Sequence, residues 1–167
     1  MHLPINHRLR PLYRFLAGLI GLYVLAFGII GLIRTWGDAF FGQENLPRVL
    51  GLSTNPAFSL LSIGMGLLLL VALVLGNNID HYVNLAAGAV FVFAGLLMMT
   101  LLRTDLNLLG FSMTNVVVSL IFGMLMITTG LYTRVGPAEE AEAEEEFRRG
   151  VQRAQQQAGQ RSSRAVG

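Results

Sequence analysis

Hydrophobic positions along this chain gather into four long blocks, 15–33, 57–75, 83–102 and 111–133, and charged positions fall almost entirely between and beyond them. The first block alone is nineteen uncharged residues from Phe15 to Ile33. At ~1.5 Å per residue a helix of that length reaches about 28 Å, close to the hydrocarbon thickness of a bilayer. The pattern predicts four transmembrane helices. The first block is longer than the core of a signal peptide, and Arg34-Thr35-Trp36 follows it where a small-residue cleavage site would stand, so it reads as a retained span.

The polar stretches predict how the blocks connect. Residues 34–56 carry Trp36, Phe40 and Phe41, side chains that favour the headgroup level, and the structure breakers Gly37, Gly42 and Pro47. They are expected to form a loop with a short interfacial helix over 44–50. Pro56 suits the first turn of a helix, where its missing N–H costs nothing. Gly76-Asn77-Asn78 predicts a tight turn and Asp80 the N-cap of the third span. Gly136-Pro137 ends the fourth helix, after which six Glu between 139 and 146 precede Arg148, Arg149 and Arg153. Glu144–Arg148 and Glu145–Arg149 are four apart with the acid first, which predicts a short solvated helix fraying near Gly159. The organisation is thus a basic N-terminus (1–14), a four-span membrane domain (15–134) and a charged tail (135–167).

The connector from Arg103 to Asn115 echoes an earlier one. Arg103-Thr104 repeats Arg34-Thr35, Leu109-Gly110-Phe111-Ser112 resembles Leu50-Gly51-Leu52-Ser53, and Thr114-Asn115 repeats Thr54-Asn55. These matches place the first halves 69 residues apart and the second halves 59 to 60 apart. They predict two tandem two-helix hairpins related by an axis along the membrane normal, with Asn55 and Asn115 at equivalent depths. Each span also carries a stripe of small residues on one helical face: Ala17, Gly21, Gly28 and Gly31; Ser59, Ser62 and Gly66; Asn84, Gly88 and Gly95; Ser112, Ser119, Gly123 and Gly130. Close backbone approach at such stripes holds helices together in lipid, so the expected fold is an all-α membrane protein, a compact four-helix bundle.

Composition sharpens this picture at two points. The chain is 53% hydrophobic and 13% charged, and it has no Cys, which excludes disulfides, thiolate metal sites and Cys nucleophiles. All twelve basic residues are Arg. With four spans, nine Arg fall on the side of the termini and Arg34, Arg48 and Arg103 on the other, so both termini are expected in the cytoplasm of a bacterial inner (plasma) membrane.

Within the predicted spans there is no Asp, Glu, Lys, Arg or His, which argues against ion-coupled transport. Only His2, His7 and His81 are available for a metal set and none pairs at ligand spacing, and no phosphate loop with its Lys exists. No catalytic, cofactor-binding or metal-binding residue is expected, and no cofactor. The candidate polar contacts are structural: Asn84 and Asn115 between helices, and Arg34, Arg103 and Asp105 as an ion pair joining the hairpins at one membrane face.

His7-Arg8-Leu9-Arg10 with Pro11-Leu12-Tyr13-Arg14, Asn55-Pro56-Ala57-Phe58-Ser59, Asp80-His81 with Val83-Asn84, and the run from Leu102 through Asn107 to Gly110-Phe111-Ser112 resemble a bacterial membrane family known as a domain of unknown function and typical of GC-rich Gram-positive bacteria. The resemblance covers about residues 7–136. It implies a four-span inner-membrane protein and supplies no catalytic or binding residues. The expected function is non-enzymatic, through helix–helix contact, a homo-oligomer or a membrane-protein partner in the lipid bilayer, without nucleic acid. The alternative is a small transporter or channel formed by the duplicated hairpins.

Overall fold

A computed structural model of the chain describes residues 9–76, 78–136, 146–147, 149–153 and 155–156. Four helices, α1 (Arg10–Arg34), α2 (Pro56–Leu75), α3 (Ile79–Leu101) and α4 (Met113–Tyr132), are each long and apolar enough to cross a membrane. A two-stranded antiparallel ribbon, β1 (Arg48–Val49) and β2 (Leu52–Ser53), is the sheet present among the described residues. The chain divides into a helical membrane unit, 1–134, and a second unit, 135–167. In the second, described residues between 146 and 156 are helical, and the expected Glu144–Arg148 and Glu145–Arg149 pairs lie outside the described residues.

α1 packs chiefly on α2 and α3 on α4, with sparser contact between the pairs. The close approach runs through the small-residue stripes. A Cβ on Gly66 would stand 2.6 Å from the backbone nitrogen of Leu25, and one on Gly123 would stand 2.8 Å from that of Val92. A Cβ on Gly28 would meet Ile63 and Ser59, and one on Gly95 would meet Leu120 and Val116. Gly21 faces Leu70 as Gly88 faces Ile127, and Gly18 faces Leu73 as Leu85 faces Gly130. In every case the first helices correspond at a separation of 67 residues and the second helices at 57. At those separations the ends of α1 and α3 coincide at Arg34 and Leu101, and α2 coincides with α4 over its full length. The two hairpins are structural copies.

This corrects the register read from the sequence. The repeated words Arg-Thr and Thr-Asn sit at the water boundary, two to three residues away from positions that pack alike. Asn55 is the N-cap of α2 and corresponds to Ser112, the N-cap of α4; Asn115 lies one turn further on and corresponds to Phe58. They are not at equivalent depths. The ten-residue difference between the two separations is extra length in the first connector.

That connector is not a helix over 44–50. Leu50 and Gly51 both take positive φ, 49° and 88°, and reverse the chain between β1 and β2. A turn with two positive φ angles matches the twist of a tight antiparallel ribbon, which a helix there would forbid.

At the centre, Ala17, Ile20 and Val24 of α1 meet Leu69, Ala87 and Met126 from the other three helices. Ile20 and Ala87 are equivalent positions, as are Leu69 and Met126, so this layer fills the pseudo-twofold axis. Apolar side chains such as Val74, Phe93 and Met124 cover the outside. Such a surface suits lipid rather than water.

Candidate functional site

The hairpins are joined to each other by polar contacts at both ends of the bundle, with an apolar cavity between. At the end bearing the two connectors, the Asn55 side chain accepts from Phe58 N at 2.9 Å and donates to Gly42 O and, across the hairpin boundary, to Leu108 O at 2.9 Å. The second hairpin returns the contact. Asn115 Oδ1 accepts from Ser53 N at 3.0 Å and from the Ser112 hydroxyl at 2.6 Å, while its Nδ2 donates to Ser53 O at 2.8 Å. Asn115 therefore pairs with β2 as a neighbouring strand would. Both asparagines are about 1% exposed, so their side-chain amides are cut off from water and need these partners.

At the opposite end, beside the short turn at Gly76, Arg14 of α1 approaches Asp80 of α3 at 3.1 Å, Nε to Oδ2. The two atoms face each other as charges without the alignment of a hydrogen bond. Arg14 also donates to Leu73 O of α2, and Asp80 Oδ1 accepts from His81 N. His81 Nδ1 lies 2.6 Å from Gly130 O of α4, a carbonyl acceptor that selects the tautomer with hydrogen on Nδ1. Arg14 and His81 are equivalent positions in the two copies, and so are Leu73 and Gly130. One contact has been kept while the donor changed from guanidinium to imidazole. Tyr13 stacks on Tyr132 with ring centres 5.0 Å apart, and Arg10 donates to Thr133 O. All four helices meet in this cluster.

Between these ends lies an apolar cavity of about 80 Å³. Its helical lining is duplicated throughout: Tyr23, Val24 and Phe27 of α1 correspond to Val90, Phe91 and Ala94 of α3. Phe58, Leu61, Ser62 and Met65 of α2 likewise correspond to Asn115, Val118, Ser119 and Phe122 of α4. The cavity therefore sits on the pseudo-twofold axis. Leu52, Leu109 and Phe111 from the connectors close it at one end.

The sequence-predicted residues distribute unevenly over this frame. Asn115, expected between helices, bonds instead to the backbone of Ser53 in the ribbon and to Ser112. Asn84 is 3% exposed, yet its side chain makes no hydrogen bond among the described residues. Arg34, Arg103 and Asp105 do not form the expected ion pair. Arg34 donates to Arg48 O, Asp105 offers only its backbone carbonyl to Gln43, and Arg103 is exposed. The charge pair joining the hairpins is instead Arg14–Asp80 at the other end. Asp80 is not an N-cap either: Asn78 holds that place, and Asp80 and His81 belong to the buried first turn of α3. Helices α1 and α3 therefore start before the predicted spans and include Arg14, Asp80 and His81. The signal available was their opposite sign at one predicted membrane face, where a pair can enter the helix ends that each alone would terminate.

A family model described as a domain of unknown function, DUF4383, matches residues 14–132. The fold and this match define the class as a four-helix membrane protein. The chain belongs to the DUF4383 family, whose matched span runs from Arg14 in the first turns of α1 to Tyr132 at the end of α4. No curated protein and no solved structure matches it.

Proposed function

We propose that this is a non-enzymatic protein of the bacterial plasma membrane, both termini cytoplasmic, that acts by contact with another component of the bilayer. The observation that carries this reading is the use made of its polar side chains. Arg14, Asp80, His81, Asn55 and Asn115 are engaged in joining one hairpin to the other or in capping helices. The glycine stripes are likewise filled by neighbouring helices, Gly64 of α2 being the helical glycine of the membrane unit that faces open space. A protein partner would meet aliphatic side chains on the outer faces, or the charged tail.

Native mass spectrometry of the full chain, extracted gently from its own membrane, tests the reading. A second polypeptide or a fixed oligomer supports it, and truncation after Pro137 shows whether the tail holds the partner. A lone chain overturns it. The second reading, a small transporter, is favoured by a cavity on the axis between two repeats. It requires flux in proteoliposomes that Asn84→Leu or Asn115→Leu abolishes. For orientation, Ala39→Cys should react with an impermeant thiol reagent in intact cells and Ser162→Cys should not; labelling of the latter reverses the topology.

A further inference from the structure

The axial cavity has two sides, and the pseudo-symmetry shows how they differ. Toward the α1–α4 side stands Tyr23, its ring edge-on to Phe122 at 5.4 Å and its hydroxyl donating to Leu50 O at 2.9 Å. The extra length of the first connector supplies Leu50, so the β-ribbon holds this side shut. The equivalent positions on the α2–α3 side are Val90 and Met65, which are smaller and have no such tether. There Val90 is 52% and Leu61 54% exposed while both line the cavity. The cavity is closed on one side and open on the other.

We propose that a single hydrocarbon chain of a membrane phospholipid enters this cavity between α2 and α3. Leu61 lies five residues past the start of α2, about 8 Å along the helix axis, and Val90 lies near the middle of α3. Both depths fall within the span of a roughly 30 Å hydrocarbon layer, so the medium at the mouth is lipid chains. Water has little hold on the space, because apolar cavities stay dry without polar partners. Asn115 Oδ1 already accepts from Ser53 N and the Ser112 hydroxyl and its Nδ2 donates to Ser53 O, while Ser62 donates to Phe58 O. An empty apolar void forfeits dispersion contacts along its walls, and a chain segment restores them. About 80 Å³ is roughly half the volume of an apolar cavity that takes a benzene ring. The site therefore admits a few methylenes and excludes a headgroup. This inference stands apart from the partner reading, since a chain can bind whether or not a second protein does.

The test is photolabelling of the full chain in phosphatidylglycerol–phosphatidylethanolamine vesicles containing a phospholipid with a diazirine on one acyl chain, with adducts mapped by mass spectrometry. Adducts are expected on Met65, Ala94 and Phe122, which face the cavity, as well as on lipid-facing Val74. Val90→Phe, which places an aromatic ring where Tyr23 stands in the other copy, should lower the cavity adducts about tenfold while leaving those on Val74 unchanged. That fall corresponds to about 1.4 kcal/mol of lost affinity. Should Val90→Phe fail to fold, Ala94→Leu fills the cavity from within and should give the same loss. Adducts confined to outward residues, or cavity adducts that persist in a folded variant, overturn the proposal. Disulfide crosslinking between copies of Leu61→Cys or Val90→Cys, with lipid adducts absent from the cavity, overturns it in favour of a second copy as occupant.

Discussion

The two hairpins share one packing scheme and differ in nearly everything attached to it. Their helices meet at equivalent glycines, the N-caps of their second helices fall at equivalent positions, and even the side-chain contact to the carbonyl of Leu73 or Gly130 is kept. They part company at the connector, where the first copy adds a β-ribbon, and at many side chains, three of which change what the bundle can do. Arg14 stands where the second copy has His81, Tyr13 where it has Asp80, and Tyr23 where it has Val90. The first two differences place opposite charges on opposite hairpins, so that the copies attract each other rather than merely coexist. The third closes one side of the axial cavity. Duplication alone would give a symmetric bundle; these substitutions give it a lock and a direction.

The shared packing scheme is where substitution should cost most. Gly66→Val and Gly123→Val place branched side chains against backbone less than 3 Å away, so each should destabilise the protein by about 3 kcal/mol or more, and by similar amounts. Gly64→Val, on the same helix but facing open space, should stay within about 0.5 kcal/mol of wild type. Thermal unfolding in detergent compares the three. Unequal costs at Gly66 and Gly123 would break the equivalence of the copies.

Next in size is the charge lock. Asp80→Asn leaves Arg14 facing a neutral group, and removing one member of a buried pair costs about 3–5 kcal/mol when both are inaccessible. Arg14 is about one-third exposed, so solvent screening lowers the expected loss to roughly 2 kcal/mol. The double variant Arg14→Met with Asp80→Leu should regain most of it, since neither charge is then left alone. A double variant no more stable than Asp80→Asn would show that the pair contributes more than mutual neutralisation.

The number of helices, their lengths to within a few residues, and the faces that meet were legible in the chain, because lipid forces long apolar runs and backbone contact forces small residues at helical spacing. The helix starts at Arg10 and Ile79 were less so. Charge normally ends an apolar block, and the three-dimensional pairing of Arg14 with Asp80 lies inside the helices beyond those blocks. The duplication was legible as a fact but not in its register, since glycine spacing carries the packing whereas the matching polar words mark where water begins. The cavity was invisible: residues such as Leu61, Val90 and Phe122 look like any other apolar filling until the helices are placed around an axis.

The smallest expected effect lies at the closed side of that cavity. Tyr23→Phe keeps the ring against Phe122 and removes only the hydroxyl's bond to Leu50 O, an exposed contact. The loss should be about 0.5–1 kcal/mol, the net contribution of one hydrogen bond. Its consequence should be local: backbone amides at 48–53 exchange with solvent faster, while those at 102–112, in the connector without a ribbon, keep their rates. Lipid adducts in the cavity should not change, because the aromatic ring rather than its hydroxyl fills the gap between α1 and α4. Tyr23→Val goes further, making this side a copy of the one at Val90. If the ring is what gives the cavity its direction, new adducts should then appear on Val118, the counterpart of Leu61, and their absence would leave the ribbon itself as the barrier.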